Sequence, residues 1–306
     1  MGRKIKFRSF RKYSVRTGLQ HSSNPVLFLS KISFIKFKKF DKISGNIFII
    51  GEDIMKKFYL LFLALFLSSC TTVSMTGRQQ LLLSNESEEA ASGAASYQQY
   101  LSESKISTDK TNTALVKKVG QKIAAVSGCD YDWEFNLLEN DEANAWCLSG
   151  GKVAVYTGIL PYTQTEAGLA TVMSHEIAHA IARHGAERAT QAQLMQYGLS
   201  LGNLALEKNP NRELIMMGVN VAGNVGVILP YSRKHESEAD YMGLLLMAKA
   251  GYDPNEAVKF WQRMSQASGG SQGGLSDFLS THPSDEKRIK DLQSHMSEAM
   301  KYYNKQ

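Results

Sequence analysis

The segment "EAGLATVMSHEIAHAIARHG", residues 166 to 185, constrains this chain more than any other. Residues four apart share one helical face, so a helix here presents His175 and His179 to a single point, with Glu176 one position on. Met173, Ile177 and Ile181 form an apolar stripe on another face, and Gly185 reads as the stop. Two histidines do not complete a metal site. A catalytic zinc takes three protein ligands and keeps a position open for water. Positions 182 and 185, where the metzincin pattern has Gly and His, hold Ala182 and Gly185, so the third ligand comes from elsewhere. His184 reads as a helix C-terminal residue favoured by the macrodipole.

A second segment, "RKHESEAD" at 233 to 240, supplies that ligand. It follows the Leu229-Pro230 break and opens a helix that runs through "YMGLLLMAKAG" to Gly251. Glu236 and Asp240 are four apart and share a face, whereas Glu238 points away. One carboxylate for the metal and a second one turn on, holding a zinc histidine by its free N–H, fit this spacing. The expected set is therefore His175, His179 and Glu236 on one Zn2+, Glu176 as the catalytic group, and Asp240 behind the ligands. His235 and Glu238 are assigned to the surface.

The rest of the chain places these helices in a mainly helical α+β domain. Helices are expected over about 86 to 104 and 110 to 127, the second reading "ALVKKVGQKIAAV" with helical apolar spacing. The segments "WEFNLLE" and "KVAVYTG" alternate like strands, joined through "NDEANAWCLSGG". From about Thr165 everything reads helical, with breaks at "EKNPN", "AGYDPN", "SGGSQGG" and "THPSD".

The pattern His175-Glu176-x-x-His179 with Glu236-x-x-x-Asp240, preceded by Arg233, resembles the gluzincin peptidases of metallopeptidase family 48, the CAAX prenyl endopeptidases and HtpX-like proteases. Asn144-Ala145-Trp146, Gly150-Gly151-Lys152-Val153 and His282-Pro283 extend the likeness over roughly residues 75 to 295. The resemblance implies a zincin-like fold, with a small sheet beside the H-E-x-x-H helix, and zinc-dependent hydrolysis of peptide bonds with Glu176 as general base. It further implies an edge strand at Asn144, Ala145 and Trp146 that takes substrate by strand addition; the plainer reading is a hairpin connection. His282 matches a family position near the active site. Three roles stay open for it: a displaceable fourth zinc ligand, a transition-state donor, or a loop histidine capping the last helix. Arg288, six residues on, has two readings, an aid at the site and, preferred here, half of a surface ion pair.

The N-terminal region bears on location. "MKKFYLLFLALFLSSC", from Met55, has the charged start, short apolar run and small-residue end of a secretory signal, and Leu67-Ser68-Ser69-Cys70 resembles the bacterial lipobox. The run is too short to span a bilayer. Residues 55–69 are thus expected to be a signal peptide, Cys70 the lipidated residue, 70–85 a polar tether and 86–306 the protease domain; 1–54 reads as a mis-started leader. The first 57 residues carry 14 of the 35 Lys and Arg but 3 of the 29 Asp and Glu, leaving a net charge of −5 for the remainder. Nucleic acid is excluded as a partner on that ground. Assigning Cys70 to lipid leaves Cys129 and Cys147 as a disulfide pair or as two buried thiols. The expected protein is a lipid-anchored endopeptidase of the bacterial envelope, on the outer membrane facing the periplasm. Its expected substrates are misfolded or unassembled envelope proteins. The alternative is a catalytically quiet lipoprotein that binds unfolded envelope proteins as a chaperone.

Overall fold

A computed structural model describes residues 70–224, 229–268, 276–282 and 286–304. Residues 1–54 and 55–69, expected above to be a leader and a signal peptide, and the Gly-rich stretch at 269–275 lie outside the described residues. The described chain opens with an antiparallel hairpin, β1 (Cys70–Thr72) and β2 (Gln79–Leu81), then α1 (Glu86–Glu103) and α2 (Lys110–Ala125). A three-stranded sheet follows from β3 (Glu134–Leu138), β4 (Ala145–Leu148) and β5 (Lys152–Tyr156), in the order β3-β5-β4. β3 runs parallel and β4 antiparallel to the central β5. The connection expected between two strands is therefore itself a strand, and it forms the sheet edge.

Every residue of β5 is buried, and period-two alternation divides its side chains between two cores. Val153 and Val155 join the main core under α2, whereas Ala154 and Tyr156 pack with Tyr97 of α1 on the other face. The turn from β4 to β5 needs positive φ at Gly150 and Gly151, +81° and +85°, which only glycine adopts without strain.

The remainder is helical: α3 (Leu160–Thr163), α4 (Glu166–Ile181), α5 (His184–Ala205), α6 (Arg212–Gly223), α7 (Leu229–Lys249), α8 (Asn255–Ser268), α9 (Ser276–Thr281) and α10 (Glu286–Tyr303). α4 is apolar on nearly every side and is buried from Gly168 to Ile181, as such a helix must be. It is capped by Thr165, whose side chain accepts from Gly168 N at 2.9 Å. β4, α2, α7 and α8 all pack against it. The expected mainly helical α+β architecture, with a small sheet beside the central helix, is thus the one found.

Candidate metal centre

α4 and α7 carry the centre, and their close approach follows from a missing side chain. A Cβ on Gly243 would stand 3.0 Å from His175 N and 3.1 Å from its Cα. Gly243 lies seven residues after Glu236 and three after Asp240, on the same helical face. Contact at Gly243 therefore draws both carboxylates onto α4. Glu236 Oε2 lies 3.3 Å from His175 Nε2, and Glu236 Oε1 lies 3.3 Å from His179 Nε2; the two Nε2 atoms are 3.1 Å apart. His282, in the turn after α9, brings Nδ1 to 2.8 Å from Glu236 Oε2 and 3.2 Å from His175 Nε2.

These four residues can hold a metal ion. Donors about 2.0–2.1 Å from one tetrahedral ion stand about 3.3 Å apart, close to the separations found. The protonation pattern fits as well. Burial alone would push Glu236 up, but hydrogen bonds from His175, His179 and His282 hold it far below the carboxylate range, hence ionised. Burial lowers His179 well below the usual range and keeps it neutral. Burial opposes charge on His175, yet Asp240 and Glu236 raise it to about 9, so the pocket demands positive charge. Glu176, pushed up by burial, has Oε1 buried without a hydrogen-bond partner, 3.6 Å from His282 Nε2.

Each histidine of the pair has its own support. His175 Nδ1 faces Asp240 Oδ1 at 3.0 Å. Asp240 is gripped in turn by Arg288, whose Nε and Nη2 donate to Oδ2 and Oδ1 at 2.6 and 2.8 Å. Arg288 Nη2 also reaches Glu236 Oε2 at 3.1 Å, and the guanidinium lies 3.6 Å above the Trp261 ring. The expectation of a surface ion pair for Arg288 is corrected: the side chain is buried at the centre.

Behind His179 lies a network that the sequence reading missed. α4 ends at Ile181, not at Gly185, because Arg183 takes a left-handed conformation with φ +57°. Arg183 is held there by Glu89 of α1, at 2.6 and 3.0 Å, and by Ser84 O. The reversal swings His184 back so that its Nδ1 lies 2.9 Å from His179 Nδ1, while its Nε2 lies 2.9 Å from Glu238 Oε2. Burial, against the pull of Glu238, holds His184 down at about 4, so it carries one proton. With His179 Nε2 turned to the metal position, His179 Nδ1–H donates to His184 Nδ1, and His184 Nε2–H donates to Glu238.

Glu238 is further bound by Thr76 and by Arg78 Nε at 2.6 Å. Arg78 also grips Glu187 at 3.0 and 2.8 Å, and Glu187 meets His235 Nε2 at 2.9 Å. The expectation that His184, His235 and Glu238 are ordinary surface or helix-end residues is therefore overturned. His184 and His235 are 0% and 1% exposed, with rings stacked 4.2 Å apart. The segment at 70–85 is likewise no loose tether, since its hairpin delivers Thr76 and Arg78 to this network. The signal available in sequence was "TGR" at 76 to 78, a basic residue placed by a turn glycine in an otherwise polar stretch.

Asn144 leads into β4 and Ala145 and Trp146 open it; β4 is an edge strand of the sheet and packs along α4. The Cys147 thiol of this strand is pushed well up by burial and then by the carboxylate of Glu176. Cys129 and Cys147 are separate thiols, and the pairing left open above is not formed. Arg233 is exposed on α7.

The model of Peptidase family M48 matches residues 110–296, which include His175, Glu176, His179, Glu236, Asp240, His282 and Arg288. This chain belongs to Peptidase family M48. Among curated relatives, Mitochondrial metalloendopeptidase OMA1 of Schizosaccharomyces pombe is 41% identical over 188 residues, 61% of this chain and 54% of that protein. Metalloendopeptidase OMA1, mitochondrial, of Homo sapiens is 28% identical over 260 residues, 81% of this chain and 50% of that protein. Beta-barrel assembly-enhancing protease of Escherichia coli is 28% identical over 193 residues, 61% of this chain and 39% of that protein. This M48 chain thus spans about half or less of the length of these relatives.

Proposed function

We propose that this chain is a zinc-dependent endopeptidase of the bacterial envelope, carried on lipid-modified Cys70 and acting on misfolded or unassembled envelope proteins. The observation that carries the catalytic reading is the buried Glu176 Oε1, which has no hydrogen-bond partner, beside a converging set of His175, His179 and Glu236. One zinc ion held there would lower the pKa of coordinated water toward ~7 and polarise the scissile carbonyl. Glu176 takes the proton of the attacking water and returns it to the leaving amine. The edge strand at Asn144, Ala145 and Trp146 holds the substrate backbone extended by strand addition. Relatives include both mitochondrial and bacterial proteins. The secretory and lipobox layout at 55 to 70 favours the bacterial envelope.

His282 supplies a fourth donor where a hydrolytic site needs an open position. It acts as a latch that must withdraw before water and substrate enter. The decisive experiment is Glu176→Gln, assayed for bound zinc and casein digestion with and without chelator. Retained zinc with proteolysis lost supports the reading; near-normal digestion refutes it. Wild-type protein that binds unfolded protein but never cleaves it would favour the chaperone alternative. His282→Ala should raise proteolysis, whereas a fall would make His282 a transition-state donor.

A further inference from the structure

The two histidines of α4 are backed in parallel ways. His175 faces Asp240, which Arg288 grips. His179 leads through His184 to Glu238, which Arg78 grips. The second arginine comes from the β1–β2 hairpin, outside the helices that carry the centre. The turn of that hairpin is closed by bonds from Val73 N to Arg78 O and from Gly77 N to Val73 O, both 2.8 Å, and Val73 seats it in the main core. Gly77 takes φ +72°, and the turn delivers two donors to one carboxylate: Thr76 Oγ1 to Glu238 Oε1 and Arg78 Nε to Oε2.

We infer that Arg78 is a positioning residue for His179, so that the N-terminal hairpin helps to set the metal affinity of the centre. The inference rests on the zinc reading of the centre and gives the hairpin a part in it. Direction along the chain of bonds carries the argument. A guanidinium only donates and a carboxylate only accepts. Glu238 Oε2 takes Arg78 Nε–H at 2.6 Å and His184 Nε2–H at 2.9 Å, so His184 presents a lone pair at Nδ1 to His179 Nδ1–H, 2.9 Å away. His179 Nε2 is then the nitrogen without a proton, the one a metal takes. The same guanidinium forks onto Glu187 at 3.0 and 2.8 Å, so one side chain ties the hairpin to α5 and α7 where His184 lies between them. Lysine, a single point charge, lacks the geometry to span both carboxylates. Glu187 and Glu238 are only 4% and 9% exposed. A clamp that served stability alone would do as well with apolar side chains and would not end on the ring nitrogen of a ligand.

The test is the zinc affinity of the full-length chain, read by competition with a chromophoric chelator, so that turnover does not enter. Arg78→Met should weaken zinc binding about tenfold or more, the range that loss of such an outer partner costs. Arg263→Met is the matched control. Its side chain is 23% exposed against 25% for Arg78, and it holds Glu256 at 2.8 Å and two backbone carbonyls beside Gly168 at the start of α4. It should lower Tm comparably yet leave zinc affinity within about twofold, as an independent site does. Thr76→Val keeps the side-chain shape, removes one donor to Glu238 and should weaken zinc binding in the same direction by less. Imidazole nitrogen shifts of the zinc-loaded chain should place the His184 proton on Nε2. Unchanged affinity in Arg78→Met, or in Thr76→Val where the first variant does not fold, overturns the inference. So does an equal fall in Arg263→Met, which would mean general loosening, or a His184 proton on Nδ1. Wild-type chain that binds no zinc overturns the peptidase reading as well, whereas wild type that binds it and an Arg78→Met form that matches it overturn this inference alone.

Discussion

Replacing Arg288 by Met tests the electrostatic account of the centre most directly. The guanidinium makes bonds of 2.6 and 2.8 Å to Asp240 and 3.1 Å to Glu236, and is 6% exposed. Met keeps much of the stem volume over Trp261 and removes the guanidinium charge, leaving buried Asp240 and partly buried Glu236 beside Glu176 with His175 as the cation that still faces them. Breaking one partner of a buried ion pair costs about 3–5 kcal/mol, because the remaining charge is stranded. At about 2–4 °C per kcal/mol for a domain of this size, Tm should fall by roughly 6–20 °C in chelator. The loss should depend on pH. Burial raises Asp240, but Arg288 and His175 outweigh it and hold the carboxyl below its usual range. Its contribution is therefore present above about pH 4 and is lost as pH falls through the depressed folded value, so wild type and variant should converge in acid. Asp240→Asn added to Arg288→Met removes one stranded charge and should restore a large part of the deficit. Urea unfolding of the metal-stripped proteins checks all three statements. A deficit below about 1 kcal/mol at pH 7, or no recovery in the double variant, would falsify the account.

Two further substitutions probe the elements that align the centre. Gly243→Ala puts a methyl against the backbone of α4 at His175, and overpacking of this kind costs about 1–3 kcal/mol. Because the helices must separate to relieve it, zinc affinity measured by competition with a chelator should fall as well; unchanged affinity would mean that the contact is slack. Glu238 is lowered from 4.5 to about 2: burial acts against this, but His184, Thr76 and Arg78 outweigh it. Its stabilisation is full above pH 4.5 and is lost as pH falls toward 2. Glu238→Gln should thus cost about 2–3 kcal/mol at pH 7, allowing for the partial exposure of Arg78, and little in strong acid. A pH-independent loss in urea titrations would point to packing instead.

The sequence by itself determined the helix faces. His175 with His179, and Glu236 with Asp240, are each four apart, and local periodicity alone makes each pair face one way. The small sheet and the mainly helical remainder were legible for the same reason, since they rest on spacings within one segment. What surrounds the ligands was decided only in three dimensions. Glu238 looked like a solvated carboxylate because its partners, Thr76 and Arg78, lie 162 and 160 residues away. His184 looked like a helix end because Arg183 breaks α4, and that left-handed turn is held by Glu89, 94 residues distant. Arg288 looked like a surface cation because its burial depends on α7 and α8 closing around it. Local spacing fixes which side chains can point together, but the cost of burying a charge is met by whichever partner the fold delivers, and no spacing reports that.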